Sequence, residues 1–326
     1  MTRVGVTGAT GYIGGALVPF LANAGFDVCP VDDGSGAVRV ESSRWPVRAR
    51  DLASAEGLRV LADCDVVLHL GAVSGVMACA DDPVGTARVN VAGTRTLVAA
   101  CAARRVPVAF ASSLAVVGAP QQLPVTEETP ARPTHEYARQ KAAGEAILSE
   151  LSSSAGISGA VLRMSNVYGT YLSEGRAVAK GNVLQLFSRQ AAEGRLTVNA
   201  PGTQRRDFIH LEDALAHWAA AVRFLRSSPG QTGAATFNVA SGESCSVLEI
   251  ADKVVRGWAA LHPGSPAVRV DLVPNPRQGV ELIDPEFAVS RAETERRLGV
   301  SCHHTVDDSL NELLALAARG VGAPAH

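Results

Sequence analysis

The sequence predicts an α/β fold: a doubly wound, mostly parallel sheet with a smaller, discontinuous C-terminal domain. Three observations carry that prediction. Short apolar runs alternate with helical stretches through the first half of the chain, the rhythm of a parallel sheet covered by helices on both faces. The first run, Val4 to Val6, leads directly into three glycines at a G-x-x-G-x-x-G spacing, Gly8, Gly11 and Gly14. Later runs stop at small or polar residues, Gly71-Ala72 and Ser112-Ser113, which in a parallel sheet fall on one edge.

The elements follow in order. After the glycines, Ala16-Leu17-Val18 and Phe20-Leu21 form a helix. Gly8 permits the tight turn, Gly11 lets a pyrophosphate approach the main chain, and Gly14 lets helix and strand pack closely. The helix N-terminus offers free N–H groups and the positive end of a dipole. Phe26 to Val31 is the second strand and ends at Asp32-Asp33; Asp65 to Leu70 is another. Asp82-Pro83 opens a helical run through Ala103, and Pro107 to Ala111 is the next strand. A helix from about Tyr137 to Leu151 precedes the strand Gly159 to Met164.

The second half is less regular. Leu184 to Glu193 is helical, Phe208-Ile209-His210 is a strand followed by a helix to Leu225, and Thr236 to Ala240 is a strand. A non-helical stretch holds Pro263, Pro266, Pro274, Pro276 and Pro285, and helices follow near Glu293 and from Asp308 to Ala318. The expected division is residues 1–168 with about 206–242 as the nucleotide-binding domain. Residues 169–205 with 243–326 form the second, which covers the C-terminal strand ends, where open α/β sheets bind ligands.

Composition bounds the function. The chain's 326 residues, 47% hydrophobic and 19% charged, suffice for one large or two moderate cores of an ordinary globular protein. A net charge of −2 leaves no global footprint for nucleic acid or an anionic membrane. No run approaches the roughly 18 apolar residues that span a bilayer, and the first strand begins too early for a signal peptide. Six scattered cysteines without a C-x-x-C pair point to a reduced, cytoplasmic protein without a metal cluster. Cys302-His303-His304 reads as a solvent-facing loop.

Asp32 lies at the end of the second strand, about twenty residues past the glycine loop, where a carboxylate accepts from the adenosine ribose hydroxyls. Asp33 follows it, and no Arg or Lys adjoins the pair. Two acids there repel a 2′-phosphate, which favours NAD over NADP. A turn aspartate in D-D-G-S-G is the structural alternative. Asp51-Leu52 suits a contact to the adenine edge or, equally, a helix N-cap.

Tyr137 and Lys141 stand four apart in Y-A-R-Q-K and share a helix face. An ammonium beside a tyrosine stabilises the phenolate and makes it a usable acid/base. Lys141 is one of three lysines, with Lys180 and Lys253, in a chain that otherwise uses arginine. Ser113, at the end of a neighbouring strand, can hydrogen-bond a substrate oxygen as charge develops on it. The alternatives are a surface pair and a turn serine.

With these motifs the chain resembles the extended short-chain dehydrogenase/reductase family, in its nucleotide-sugar epimerase and dehydratase branch, and in pattern its UDP-glucose 4-epimerase group. The resemblance runs nearly end to end, through T-G-A-T-G-Y-I-G, H-L-G-A at 69–72, N-V-A-G-T at 90–94, S-S-L-A-V-V-G at 112–118, L-R-M-S-N-V-Y-G at 162–169, R-R-D-F-I-H-L-E-D at 205–213 and F-N-V-A-S-G at 237–242. It implies a Rossmann-type sheet, NAD as cofactor, a UDP-sugar as the substrate partner, and a homodimer built through the helices near 83–104 and 137–151. It implies Ser113, Tyr137 and Lys141 as catalytic residues. Implied cofactor contacts are Gly8, Gly11, Tyr12, Ile13, Gly14, Asp32, Asp33, Asp51, Leu52, Leu70, Gly71, Ala72, Asn90, Ser112, Tyr137 and Lys141. Implied substrate contacts are Ser74, Ser113, Asn166, Asn182, Asn199, Arg206 and Arg277, the arginines on the diphosphate.

Departures choose the reaction. Sugar 4,6-dehydratases of the family carry an Asp-Glu pair where this chain has Leu114-Ala115. The decarboxylase branch places a glutamate where Ala115 stands. Neither residue moves a proton, which leaves 4-epimerisation through a transient 4-keto sugar, or reduction of a keto sugar. A non-catalytic nucleotide-binding regulator is the third reading. Val117 replaces a usual tyrosine, Asn199 stands where relatives have an aromatic beside the base, and Arg277-Gln278-Gly279-Val280 lacks the usual aspartate, with Glu281 next door.

Overall fold

A computed structural model describes residues 1–34, 47, 55–227, 231–275 and 286–319. Its central sheet has six strands: β1 (Arg3–Thr7), β2 (Asp27–Val31), β3 (Val66–His69), β4 (Val108–Ser113), β5 (Ser158–Met164) and Gly233–Val239. Their order is β2-β1-β3-β4-β5 and then Gly233–Val239, and every pairing is parallel. The β-strand runs are apolar because both faces are covered; every residue of β5 is buried.

On one face, Leu17, Val18 and Leu21 of the Tyr12–Asn23 helix pack with Leu215, Trp218 and Val222 of the Leu211–Ser227 helix. On the other, Leu97, Val98 and Cys101 meet Ile147 and Leu148 of the Glu136–Ala155 helix. This is the doubly wound α/β arrangement that the strand and helix rhythm predicts. The chain leaves β1 for β2 on one side and returns for β3 on the other. The connections leaving the C-terminal ends of β1 and β3 therefore run to opposite sides, and the crevice between them is where such sheets bind ligands.

A third apolar cluster gathers Tyr168, Leu184, Phe187, Ile250, Val254, Leu310 and Leu314. A small sheet joins Asn166–Tyr168 in parallel and Ser244–Ser246 in antiparallel to Arg205–His210. Arg195–Asn199 and Arg269–Val273 form a separate parallel pair.

Several details depart from the sequence reading. The helical run from Asp82 to Ala103 is three pieces: helix Pro83–Ala87, a π-helical turn Arg88–Gly93 and helix Thr94–Ala103. Single π turns inside helices recur at functional sites, and this one carries the buried Asn90. The antiparallel hairpin Thr170–Ser173/Arg176–Ala179 was not visible in the sequence. Its four-residue strands are mostly half-buried or exposed, so no alternation accumulates. The Val247–Leu261 helix was also missed, although Ser246 and Glu249 form a capping box at its start.

Candidate active site

The glycine loop forms a cradle at the end of β1. Gly8 has φ +70°, and a Cβ on it would lie 2.7 Å from the Gly71 nitrogen. A Cβ on Gly14 would overlap the Gly8 carbonyl. The loop is closed by the Gly11 N–H donating to that carbonyl at 3.0 Å. Gly11 caps the helix without a side-chain hydrogen bond, so the first N–H groups face the crevice, as an anion needs. The three glycines turn main chain rather than side chains to the cleft, and two of them leave no room for a Cβ against the packed loop, so these residues fit a dinucleotide pyrophosphate held by backbone N–H groups.

Asp32 is buried, and its Oδ2 accepts from the Thr10 N–H at 2.9 Å and its Oδ1 from Gly34 at 2.8 Å. It therefore braces the glycine loop as well as lining the cleft. Tyr12 donates to the Gly169 carbonyl at 2.8 Å, tying the loop to the root of the hairpin; burial raises its pKa.

A chain of oriented hydrogen bonds holds the opposite wall. Thr94 Oγ1 donates to the Asn90 carbonyl at 2.7 Å, so it accepts from His69 Nε2, 2.9 Å away. His69 Nδ1 then accepts from Thr7 Oγ1 at 2.8 Å, and Thr7 accepts from the Gly71 N–H at 3.1 Å. One neutral tautomer satisfies every group. Burial, helped by the positive charge of Lys141, pushes the His69 pKa down to about 3. Asn90 completes the wall from behind. Its amide accepts from the Val73 N–H at 2.8 Å and donates to the Val73 carbonyl at 2.9 Å and to Gln140 at 2.7 Å.

At the reactive end, Ser113 closes β4, and Tyr137 and Lys141 lie in the first turns of the Glu136–Ala155 helix. Ser113 and Tyr137 line the same two clefts, and the Ser113 hydroxyl acts to lower the Tyr137 pKa. The Lys141 ammonium donates to the Ala111 carbonyl at 2.7 Å and lies 6.0 Å from the centroid of the Tyr137 ring. Beside it, Ser112 donates to Glu145 at 2.5 Å, and Glu145 takes a bidentate pair from the buried Arg163 at 3.1 and 2.9 Å. This locks the strand end to the helix.

The acidity expected of Tyr137 is corrected here. Burial pushes its pKa up to about 12, against the lowering pull of the Ser113 hydrogen bond. Lys141 is itself lowered to about 8, by burial first and then by the charge of Lys180. Its ammonium donates to the Ala111 carbonyl, and desolvation is the largest influence on the phenol.

A cleft of about 580 Å³ brings together Gly8, Gly11, Tyr12, Ile13, Gly14, Asp32, Asp33, Leu70, Gly71, Ala72, Ser74, Ser112, Ser113, Tyr137, Lys141 and Asn166. A second, of about 270 Å³, shares Ser113, Tyr137 and Asn166 and adds Arg206, Leu114 and Ala115. Arg206 also donates to the Arg205 carbonyl at 2.7 Å. The Asn166 amide donates to the Asp207 carbonyl at 3.0 Å.

Three expected contacts sit elsewhere. Asn90 is buried behind the wall. Asn182 caps the Val183–Ala192 helix, accepting from Leu184 at 3.0 Å and Gln185 at 3.2 Å. Asn199 ends the Arg195–Asn199 strand and lines neither cleft. Asp51, Leu52 and Arg277, with Glu281, lie outside the described residues.

Sequence reasoning missed Lys180 in the large cleft and His135 in the small one. His135 caps the helix that carries Tyr137, accepting from Ala138 at 3.3 Å; a cap two residues before Tyr137 was the available signal. Nor is His304 solvent-facing. It is half-buried, contacts Asp213 at 3.2 Å and stacks on His210 with ring centroids 4.2 Å apart.

The profile of the NAD dependent epimerase/dehydratase family matches residues 4–240. The chain belongs to that family, as an NAD-dependent nucleotide-sugar epimerase. It is 31% identical over 289 residues to a UDP-glucose 4-epimerase of Azospirillum brasilense, covering 81% of this chain and 82% of the relative. A UDP-glucose 4-epimerase of Bifidobacterium longum solved with NAD+ and UDP superposes with a TM-score of 0.80 at 25% identity, covering 98% of each chain. The Thermotoga maritima UDP-glucose 4-epimerase has the same fold, with a TM-score of 0.80 at 21% identity, covering 98% of this chain and 99% of that one.

Proposed function

We propose that the enzyme inverts the 4-hydroxyl of a UDP-sugar through a transient 4-keto sugar, with Ser113, Tyr137 and Lys141 as its catalytic residues. One observation carries this: Ser113 and Tyr137 line both clefts, Lys141 lines the larger beside them, and the residues directly after Ser113 are Leu114 and Ala115. Neither can move the extra proton that an elimination requires.

Tyr137 Oη takes the proton of the 4-hydroxyl as a general base and returns it as an acid. A phenol pushed up to about 12 is an avid acceptor once ionised. Ser113 donates to the same substrate oxygen, where negative charge develops. Lys141 supplies positive charge below the ring and holds the nicotinamide ribose. A bound NAD would supply the hydride acceptor for C4 and, once reduced, the hydride donor for the keto sugar.

The glycine cradle holds the dinucleotide pyrophosphate, with Leu70, Gly71 and Ala72 as the facing wall and Asp32 and Asp33 at the adenosine end. Asn90 acts on that wall through Val73. Asn166 and Arg206 take the substrate diphosphate, and the segments 169–205 and 243–326 form the sugar-nucleotide half. Exposed Val84 and Val89, at 65% and 47%, support a homodimer through the 83–104 and 137–151 helices. Six free cysteines support a cytoplasmic location; among the described residues no helix is long and apolar enough to cross a membrane.

The test is incubation with UDP-glucose, UDP-galactose, their N-acetyl forms and UDP-glucuronate. Interconversion of one 4-epimer pair without net cofactor consumption is expected. Stoichiometric oxidation of added NADH or NADPH would instead identify a keto-sugar reductase.

A further inference from the structure

We propose that Lys180 selects nucleotide sugars that carry a carboxylate on the hexose, by pairing with that carboxylate at the reactive end of the cleft. The inference rests on the nucleotide-sugar reading above and narrows its substrate class.

Placement comes first. Lys180 directly follows the Arg176–Ala179 strand of the hairpin, where Ala179 pairs with Thr170. Its own carbonyl accepts from the Asn182 N–H at 2.8 Å. The root of the hairpin is pinned through the Gly169 carbonyl, which accepts from Tyr12 at 2.8 Å and from Gln185 at 3.1 Å. The main chain at Lys180 is thus held on both sides, and the residue lines the large cleft with Tyr137, Lys141, Ser165 and Asn166.

Charge comes second. Two ammonium groups face one space, closely enough that Lys180 depresses the pKa of Lys141. No carboxylate among the described residues pairs with Lys180. The acids lining this cleft are Asp32 and Asp33, which follow β2, whereas Lys141 sits against Ala111 in β4. The order β2-β1-β3-β4 separates those ends by three strand spacings, about 14 Å. The cleft is therefore acidic at the adenosine end and doubly basic at the reactive end. Like charges facing each other are unfavourable until an anion lies between them.

Chemistry comes third. The substrate diphosphate has its own recognition set in Arg206 and Asn166 in the adjoining cleft. A neutral hexose presents only hydroxyls, which call for no second cation. A hexose oxidised at C6 carries that carbon as a carboxylate, bonded to C5 and so two bonds from the C4 that Tyr137 serves. That carboxylate is the anion that a second ammonium lining the same cleft would pair with.

The experiment compares wild type and Lys180→Met. The readouts are kcat/KM for UDP-glucuronate and UDP-glucose, equilibrium binding of both sugars to the NAD-loaded protein, and NAD affinity by fluorescence. Wild type is expected to prefer the uronate. The variant is expected to lose about tenfold to a hundredfold of that preference, the range of one charge-assisted hydrogen bond, with NAD affinity unchanged. Equal losses on both sugars, or weakened NAD binding, would place Lys180 on a diphosphate and overturn the proposal; so would an unchanged preference. If neither sugar is epimerised but the binding preference still depends on Lys180, the 4-epimerase reading fails and the selectivity proposal survives.

Discussion

The ammonium of Lys141 donates to the Ala111 carbonyl at 2.7 Å, two residues before Ser113 on the same strand. The helix that carries Tyr137 and the strand that ends in Ser113 are thereby pinned together across one hydrogen bond. Ser112, Glu145 and Arg163 add a buried bracket beside it. The reactive end is thus rigid on both sides, and its side chains do not depend on flexible loops for their placement.

Removing the Tyr137 hydroxyl tests the proposed acid/base role. Tyr137→Phe should lower kcat by about a hundredfold to ten-thousandfold, with thermal stability and NAD binding retained. Steady-state assays beside a melting curve check this. Turnover within threefold of wild type would remove Tyr137 from the chemistry.

Lys141 is strained by burial, and its pKa falls from 10.5 to about 8. The folded state therefore binds protons less well than the unfolded chain. The cost is fully present below pH 8 and is relieved as pH rises from about 8 to 10.5. Lys141→Met should abolish turnover yet raise the neutral-pH Tm by about 2 °C, because the lost bond to Ala111 offsets only part of the relieved desolvation. Calorimetry at pH 7 and pH 10 should show the gain shrinking at the higher pH.

His69 gives the opposite limb. Its pKa falls from 6.5 to about 3, so its contribution to stability is present above pH 6.5 and is lost as pH falls towards 3. His69→Gln should flatten the acid limb of the stability curve in that window. Urea titrations between pH 4 and 7 measure it; parallel curves for the two proteins would refute the assignment.

The cradle has no space for a methyl group at Gly14, where a Cβ would meet the Gly8 carbonyl. Gly14→Ala should weaken NAD binding by at least about tenfold and lower stability by about 1–3 kcal/mol. Fluorescence titration with NAD, together with a denaturant melt, separates the two effects.

Much of the site was legible because its signals are local. The glycine spacing, the acids after the second strand, and Tyr137-x-x-x-Lys141 each depend on residues a few positions apart. Asn90, Asn182 and Asn199 show where such reading ends. Each is a polar residue at a position the resemblance marks, yet Asn90 bonds the main chain of Val73 and Asn182 caps a helix. An asparagine gives no sign in sequence of which acceptor it will face. The Thr170–Ala179 hairpin was invisible for a related reason: its short strands are ordered by Tyr12 and Gln185, which lie elsewhere in the chain.

The sequence by itself determined the doubly wound α/β sheet, the dinucleotide cradle and the absence of proton-moving side chains at positions 114 and 115. These rest on hydrophobic periodicity, on the steric freedom of glycine and on residue identity, all of which are local properties. Only the tertiary structure decided that burial raises the pKa of Tyr137, that His69 stays neutral, and that Lys180 shares a cleft with Lys141. Desolvation and charge pairing depend on which distant segments meet, and that is settled by packing.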